Sequence, residues 1–463
     1  MTLPPVIFLF RRDLRLADNR ALSRAVAEKR PLIPLYVLDE TDPYPIRGAR
    51  RWWLHHSLAQ LGADLAAKGS PLVLRRDNTA DAVRSIAEAT GADTVYWTRR
   101  DLPAESAVDD HAAADLQRAG LAVHDIFGGL LRAPSDLRTP STGEPYRVFT
   151  PFFKRLHALG PDGEPADAPR RLTPPAAPAK SLRLEDLALL PTRPNWAAEF
   201  GEWWRPGEAG AEAALDSLIA DRLDRYADRR DFPGEDSTSR LSPHLAFGEL
   251  SPARLWRRVA AADAPGRDKF LSELGWREFC HHLLNAFPAM GEGPLQPKFR
   301  NFPYRDDEAA FRLWSQGRTG YPIVDAGMRQ LWRTGWMHNR VRMIVASFLT
   351  KHLLIDWRRG EEWFADTLVD YDPASNIASW QWVAGCGADA APYFRIFNPT
   401  LQSAKFDPDG AYVRRFVPEL SPLAADAVHE PSAAARRETG YPFPMVDHAE
   451  ARRRALEALE AAA

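Results

Sequence analysis

The chain has 463 residues, 45% hydrophobic and 26% charged, with a formal net charge of -2. It is long enough for about two or three domains, and any polyanion would have to meet a local basic surface. No run of about 18 apolar residues signals a membrane span, and the opening MTLPPVIFLFRRDLRL carries its basic residues after a short apolar run, so no secretory signal and a cytoplasmic location are expected. Cys280 and Cys386 are too few for a disulfide framework or a cysteine-based zinc site, and no metal is expected. The fifteen tryptophans suit either a large core or a stacking surface.

From the N-terminus, VIFLF, PLIPLYVLD, PLVLRR, TVYWTR and AVHDIF are β-rich runs, separated by helical segments near residues 19–29, 49–68, 79–90 and 104–119. This alternation predicts a doubly wound parallel five-stranded sheet over residues 1–132. RRDLRLADN follows the first strand where a dinucleotide-binding turn would need G-x-G-x-x-G; Asp18 or Asn19 there can cap a helix. Residues 133–207, with PDGEPADAPRRLTPPAAPAK, read as a long connecting loop over the surface. From 208 to 463 strand signals nearly vanish, and amphipathic helices bounded by Pro and Gly run to the Ala-rich DHAEARRRALEALEAAA. The fold class is therefore α/β plus all-α.

The helical part holds residues that an ordinary core would not carry. Thr238, Ser239 and Ser242 stand beside Arg240 in DSTSRLSP, where hydroxyls and free N–H groups at a helix start can hold phosphate oxygens; a capped helix without a ligand accounts for the same residues. In SELGWREFCHHLL, Glu273, Trp276, Arg277 and Cys280 fall at i, i+3, i+4 and i+7 and should face one way, with a Glu273–Arg277 ion pair as the plain alternative. In TGWMHNRVRM, Trp336, Asn339, Arg340 and Met343 take the same spacing. One helix face would then present a ring, an amide, a cation and a thioether.

These stretches, with FLFRRDLRLADN, PYRVFTPFFK, the text from Gly317 into PASNIASWQW, and FRIFNPTLQSAKFD, resemble the DNA photolyase and cryptochrome family over nearly the entire chain, most of all its class I cyclobutane pyrimidine dimer photolyases. The resemblance implies an antenna-binding α/β domain, a connection and a helical FAD-binding catalytic domain. It implies light-driven repair in which photoexcited reduced FAD passes an electron to a dimer flipped out of UV-damaged DNA. FAD would be held by Tyr226, by Thr238, Ser239, Arg240, Leu241 and Ser242 around its phosphates, and by Arg277 and Asn339. Further contacts would come from an Arg342–Asp370 salt bridge beside the ring, Tyr371, and Asp372 at the ribityl and adenine portion. Asn376 would face the reducible ring nitrogen, where an amide favours the reduced anionic flavin.

On the DNA side the resemblance implies that Glu273 hydrogen-bonds the dimer as it becomes a radical anion, between the walls Trp276 and Trp382, with Asn339 and Met343 as lining. Arg230, Arg340, Arg395 and Lys405 would hold the flanking phosphates. Trp380 and Trp357 match an electron-transfer chain whose third tryptophan is Tyr304 here; Trp314 is another exit. The antenna stays open between methenyltetrahydrofolate, a deazaflavin and none. Glu105 lies near the family's folate-binding glutamate, or is an acidic surface residue, while Glu292 and Ala246 replace lysines that folate- and deazaflavin-binding relatives carry. Competing readings are a cryptochrome-type blue-light photoreceptor, repair of the (6-4) photoproduct, and an electron-transfer flavoprotein without DNA. Asn376, Glu273 and the Trp276/Trp382 pair stand against them. A monomer, associated with the nucleoid when on DNA, is expected.

Overall fold

Strands buried on both faces need no alternation of polar residues, and VIFLF and LIPLYVL have none. In the computed structural model, which describes residues 3–389 and 394–462, β1 (Val6–Phe10), β2 (Leu32–Leu38), β3 (Val73–Arg76), β4 (Thr94–Thr98) and β5 (Ala122–Ile126) form one parallel sheet in the order β3-β2-β1-β4-β5. Val6 pairs with Leu32 on one side and Thr94 on the other. β5, with exposed residues, closes an edge. Helices α1 (Arg20–Ala27), α2 (Ala49–Lys68), α3 (Thr79–Thr90) and α4 (Pro103–Arg118) link the strands. Asn19 is the cap of α1, its side chain accepting from Leu22 N.

Strand order reverses between β1 and β4, so the loops after them diverge and leave a crevice at their carboxyl ends. Those loops, carrying Arg11, Arg12, Arg100 and Asp101, point at the helical part. Arg15 donates to Gly248 O at 2.9 Å, and Trp53 Nε1 donates to Glu249 at 2.9 Å. Gly248 has φ 66, and a Cβ there would stand 1.9 Å from Arg12 O, so only glycine allows this approach.

The connection is not a loop throughout. Phe149, Phe152 and Leu156 repeat at helical spacing, and α5 (Phe149–Leu159) forms there and packs on the Arg267–Ala286 helix. Beyond it, helices Pro252–Ala260, Arg267–Ala286, Pro322–Thr334, Asn339–Ser347, Trp357–Thr367 and Pro373–Ala384 surround a large apolar core, and the His448–Ala461 helix closes it. Among the described residues no helix is long and apolar enough to cross a membrane.

Trp336 does not share a helix face with Asn339, Arg340 and Met343. Gly335, at φ 67, ends the preceding helix, and the His338 side chain caps the next by accepting from Arg340 N, so helix begins only at Asn339.

Candidate flavin and lesion site

The Arg267–Ala286 helix serves two cavities. Glu273, Trp276 and Cys280 line a pocket of about 290 Å³ together with Arg230, Asn339, Arg340, Met343 and Trp382. Arg277 and His281 turn the other way, toward the α/β domain. The single face expected for Glu273, Trp276, Arg277 and Cys280 is thus split, and Arg277 bonds to Glu278 at 2.6 Å instead of Glu273. Glu273 is reached by Arg230 at 2.5 Å and Lys269 at 2.8 Å.

The pocket's aromatic walls are fixed from outside. Phe149 stacks on Trp276 with centroids 3.9 Å apart, and Trp382 Nε1 donates to Asp389 O at 3.1 Å. Arg340 pairs with Asp231 at 2.7 Å and lies 4.3 Å from the Phe406 ring. Both arginines at this pocket are therefore covered by the protein's own carboxylates. Arg395 and Lys405 are exposed, lie over Phe397 and Phe406, and do not line the pocket.

Asn339, Met343, Ser379 and Val383 form a layer shared with a second cavity of about 170 Å³, whose other walls include Arg342, Asp370, Tyr371, Asp372, Asn376 and Trp380. Arg342 Nη2 donates to Asp370 Oδ2 at 2.7 Å. Asp370 Oδ1 and Trp380 Nε1 are buried without partners. Asn376 Nδ2 donates to the carbonyl and the Oε1 of Glu361 at 3.0 and 2.9 Å, and Tyr371 donates to the same carboxylate at 3.2 Å. With both amide hydrogens used, only Oδ1 of Asn376 is left for a group in the cavity. Burial pushes the Glu361 carboxyl up. Glu361 was not singled out in the sequence, since nothing in its spacing from Asn376 marks the pair.

Asp372 joins this cavity to one between the domains. It caps the Pro373–Ala384 helix by accepting from Ser375 N at 2.8 Å, and its other oxygen is 3.1 Å from His281 Nε2. His281 Nδ1 lies 2.8 Å from Asp101, on the loop after β4. Burial opposes charge on His281, but Asp372 and Asp101 overcome it and push its pKa up to about 10. Burial likewise opposes ionisation of Asp372, and the His281 imidazolium holds it well below the usual carboxylate range. His281, like Asp101 and Asp231, does not stand out in the sequence, although it repeats the four-residue step of Glu273 and Arg277.

Tyr226 and the Thr238–Ser242 run lie outside both cavities. Ser242 starts a five-residue helix and its Oγ accepts from Trp336 Nε1 at 3.3 Å; Ser239 Oγ accepts from Leu241 N at 3.3 Å. Thr238 is half-buried beside them. Arg240 has φ 53 and a buried Nε without a partner, and burial lowers its pKa. Its guanidinium and that of Arg342 lie 6.0 and 5.8 Å from the Trp336 ring, so Trp336 links this run to the second cavity. Tyr226 is buried under Arg230 at 5.6 Å.

The Trp380 ring has Phe364 at 5.0 Å and Trp314 at 6.4 Å. Trp357 is buried at the start of the helix whose Gly360 leaves room for Trp380; a Cβ there would meet its ring at 2.2 Å. Tyr304 lies 4.8 Å from Phe302, and burial raises its phenol well above the ordinary value. Glu105 is not a surface residue. It is 1% exposed and bound by Arg12 at 2.5 Å, and the adjoining cavity beside Ala246 holds only about 60 Å³.

A flavin ring edge carries donors and acceptors together. The free Asp370 Oδ1, Trp380 Nε1 and Asn376 Oδ1 offer matching groups in the second cavity, so its residues fit that cofactor. A doubly wound α/β domain set on helices that enclose such a cavity, one layer of side chains behind an aromatic-walled pocket, defines a flavoprotein of the photolyase and cryptochrome type. Residues 6–174 match the family model described as DNA photolyase, and residues 270–461 match that of the FAD binding domain of DNA photolyase. The chain belongs to the DNA photolyase family. It is 52% identical to the deoxyribodipyrimidine photo-lyase of Agrobacterium fabrum, over 99% of this chain and 98% of that one. Among solved structures it resembles a bacterial class III photolyase from Agrobacterium tumefaciens (TM-score 0.95, 51% identity, 100% and 98% covered). It also resembles a cryptochrome from Synechocystis sp. PCC6803 (TM-score 0.88, 31% identity, 99% and 100% covered). The first of these structures is of class III, where the sequence reading expected class I.

Proposed function

We propose that the chain is a deoxyribodipyrimidine photo-lyase, acting by light on cyclobutane pyrimidine dimers in UV-damaged DNA. The observation that carries this reading is the shared layer of Asn339, Met343, Ser379 and Val383. A base lesion between Trp276 and Trp382 would lie one side chain away from a flavin held by Arg342, Asp370 and Asn376. FAD, when bound, supplies a light-excited electron donor. The protein's part is to hold and dry both partners. Trp276 and Trp382 stack on the extruded bases, each worth about 1–3 kcal/mol. Once Arg230 turns from Glu273 to a phosphate, the protonated Glu273 carboxyl donates a hydrogen bond to the pyrimidine carbonyl as negative charge develops. Arg230 and Arg340 hold the flanking phosphates, and Arg395 and Lys405 extend that contact along the strand.

Residues 208–463 would be the catalytic domain, with Tyr226, Thr238–Ser242, Arg277, Tyr371 and Asp372 completing the FAD site, residues 1–132 the antenna-binding domain and 133–207 the connection. Trp380 would begin electron entry, continuing through Trp357 and Tyr304 or through Trp314. The 51% identity to a class III photolyase favours that class over class I. A cytoplasmic monomer that joins the nucleoid on DNA completes the reading.

The test is dimer reversal. Protein with bound, reduced FAD is mixed anaerobically with an oligonucleotide carrying one cyclobutane thymine dimer, and thymine recovery is followed under blue light and in darkness. Light-dependent recovery is expected. No recovery in light would shift the assignment to a photoreceptor, as for the Synechocystis relative, or to the (6-4) photoproduct.

A further inference from the structure

A cavity of about 590 Å³ adjoins the lesion pocket, with Trp382 and Val383 in the walls of both. Its charged lining is entirely cationic: Lys298, Lys351, Arg395 and Arg452. Among the described residues none of the four has a carboxylate within the 4.0 Å of a salt bridge. Arg230 and Arg340, next door, each have one. The cations alternate with rings. Lys298 lies 5.3 Å from the Phe299 ring, Lys351 4.5 Å from Phe394 and Arg395 5.3 Å from Phe397.

Lys351 is the informative member. It is 3% exposed, its Nζ donates to Arg395 O at 2.5 Å, and burial pulls its pKa down to about 7. A buried ammonium without an acid is costly unless an anion arrives from outside. Cations without acids mark a phosphate site, and the half-buried Phe394 and Trp382 rings in the same wall suit a base, which stacks whatever its sequence. The volume suits a ligand of this size, within the roughly 300–1,000 Å³ of small-molecule pockets.

We propose that this cavity is a second nucleotide site, which takes one unstacked base with its phosphate from the DNA that carries the lesion. The inference rests on the photolyase reading of the neighbouring pocket, and continuity through Trp382 and Val383 is what favours DNA over a free nucleotide of the same chemistry.

The test uses FAD-loaded protein, wild type and the Lys298→Ala/Arg452→Ala double variant. Both side chains are exposed and unpaired, so the variant keeps its fold. Duplexes carry one thymine dimer and 2-aminopurine placed in turn beside and opposite it. In wild type one position brightens on binding. In the variant that signal is lost, Kd for the damaged duplex rises about tenfold, and the slope of log affinity against log salt falls by about two, while repair per bound dimer is unchanged. Lys351→Met should reproduce the lost signal. A second arm titrates deoxyadenosine monophosphate by equilibrium dialysis. Saturable binding lost in the variant, with unchanged DNA affinity, assigns the site to a free nucleotide. Unchanged fluorescence, affinity and salt slope, with no mononucleotide bound, overturn the proposal. Failure of wild type to reverse dimers would sink the photolyase reading instead, because undamaged duplex and mononucleotide still report on the cavity.

Discussion

The two sides of the Asn339/Met343/Ser379/Val383 layer treat charge differently. On the flavin side the acids are sunk in the protein: Asp370 is 3% exposed beside a more open Arg342, and Asp101 and Asp372 enclose His281, itself 4% exposed. On the lesion side it is the carboxylates that open to water, Glu273 at 23% and Asp231 at 32%, so on the proposed reading an arriving phosphate can displace each from its arginine. Buried pairs fix a geometry because breaking them costs several kcal/mol; exposed pairs are worth about 0–1 kcal/mol and can change partners. On the proposed reading, one side serves a resident cofactor and the other a visitor.

The sharpest way to break this contrast is Asp372→Asn. It leaves the His281 cation facing Asp101 alone, and removing one partner of a buried pair costs about 3–5 kcal/mol. FAD affinity, measured by fluorescence quenching, should fall by about a hundredfold or more; full retention would show that the pair is incidental. The same pair predicts a pH response. His281 has its pKa raised to about 10 from an unfolded value of about 6.5. Its stabilisation is thus complete below about pH 6.5 and lost as pH rises through about 10. Melting temperature should decline over that window, and His281→Asn should flatten the decline. An equally steep decline in the variant would assign it to other groups.

Glu273→Ala should separate chemistry from binding. Repair per absorbed photon is expected to drop about a hundredfold, the usual scale for a positioned proton or hydrogen-bond donor. Binding of undamaged duplex should not weaken, since Arg230 loses the carboxylate that covers it. Equal losses in both would mean that Glu273 only shapes the pocket. Asp231→Asn is the milder version: it uncovers Arg340, should tighten duplex binding severalfold, and should steepen the salt slope by about 0.9. An unchanged slope would place Arg340 away from phosphate.

The α/β half was legible because its signals are local. Each strand is a short apolar run, and Asn19, one of the two residues offered as a cap after the first strand, caps the helix there. In the helical half, spacing found the right residues but misjudged how they group. Arg277 lies one residue beyond Trp276, a turn of 100° on a helix, and that step sends it into a different cavity. Trp336 was assigned to a helix that a left-handed Gly335 and a His338 cap start three residues later. α5 was hidden by the proline-rich text after it. Glu361 and Asp101 act through partners fifteen and 180 residues away, a distance at which no periodicity operates.

The smallest expected effect concerns Glu361, which sits on the flavin side yet is only a partner of partners. Its Oε1 takes hydrogens from Asn376 and Tyr371, and its carbonyl takes the other Asn376 hydrogen. This orients the amide so that Oδ1, an acceptor, is what a ring nitrogen would meet. An acceptor favours the flavin form that carries hydrogen on that nitrogen. Glu361→Leu keeps the carbonyl contact and removes the carboxylate, so the amide can rotate and offer Nδ2. A net hydrogen bond is worth about 1 kcal/mol, so the balance between oxidised and reduced FAD should shift toward the oxidised form by about fivefold. FAD affinity should stay within about twofold. The visible spectrum during anaerobic titration with dithionite reads that balance directly. An unchanged midpoint in Glu361→Leu, beside a shifted one in Asn376→Asp, would mean that Asn376 holds its orientation without Glu361.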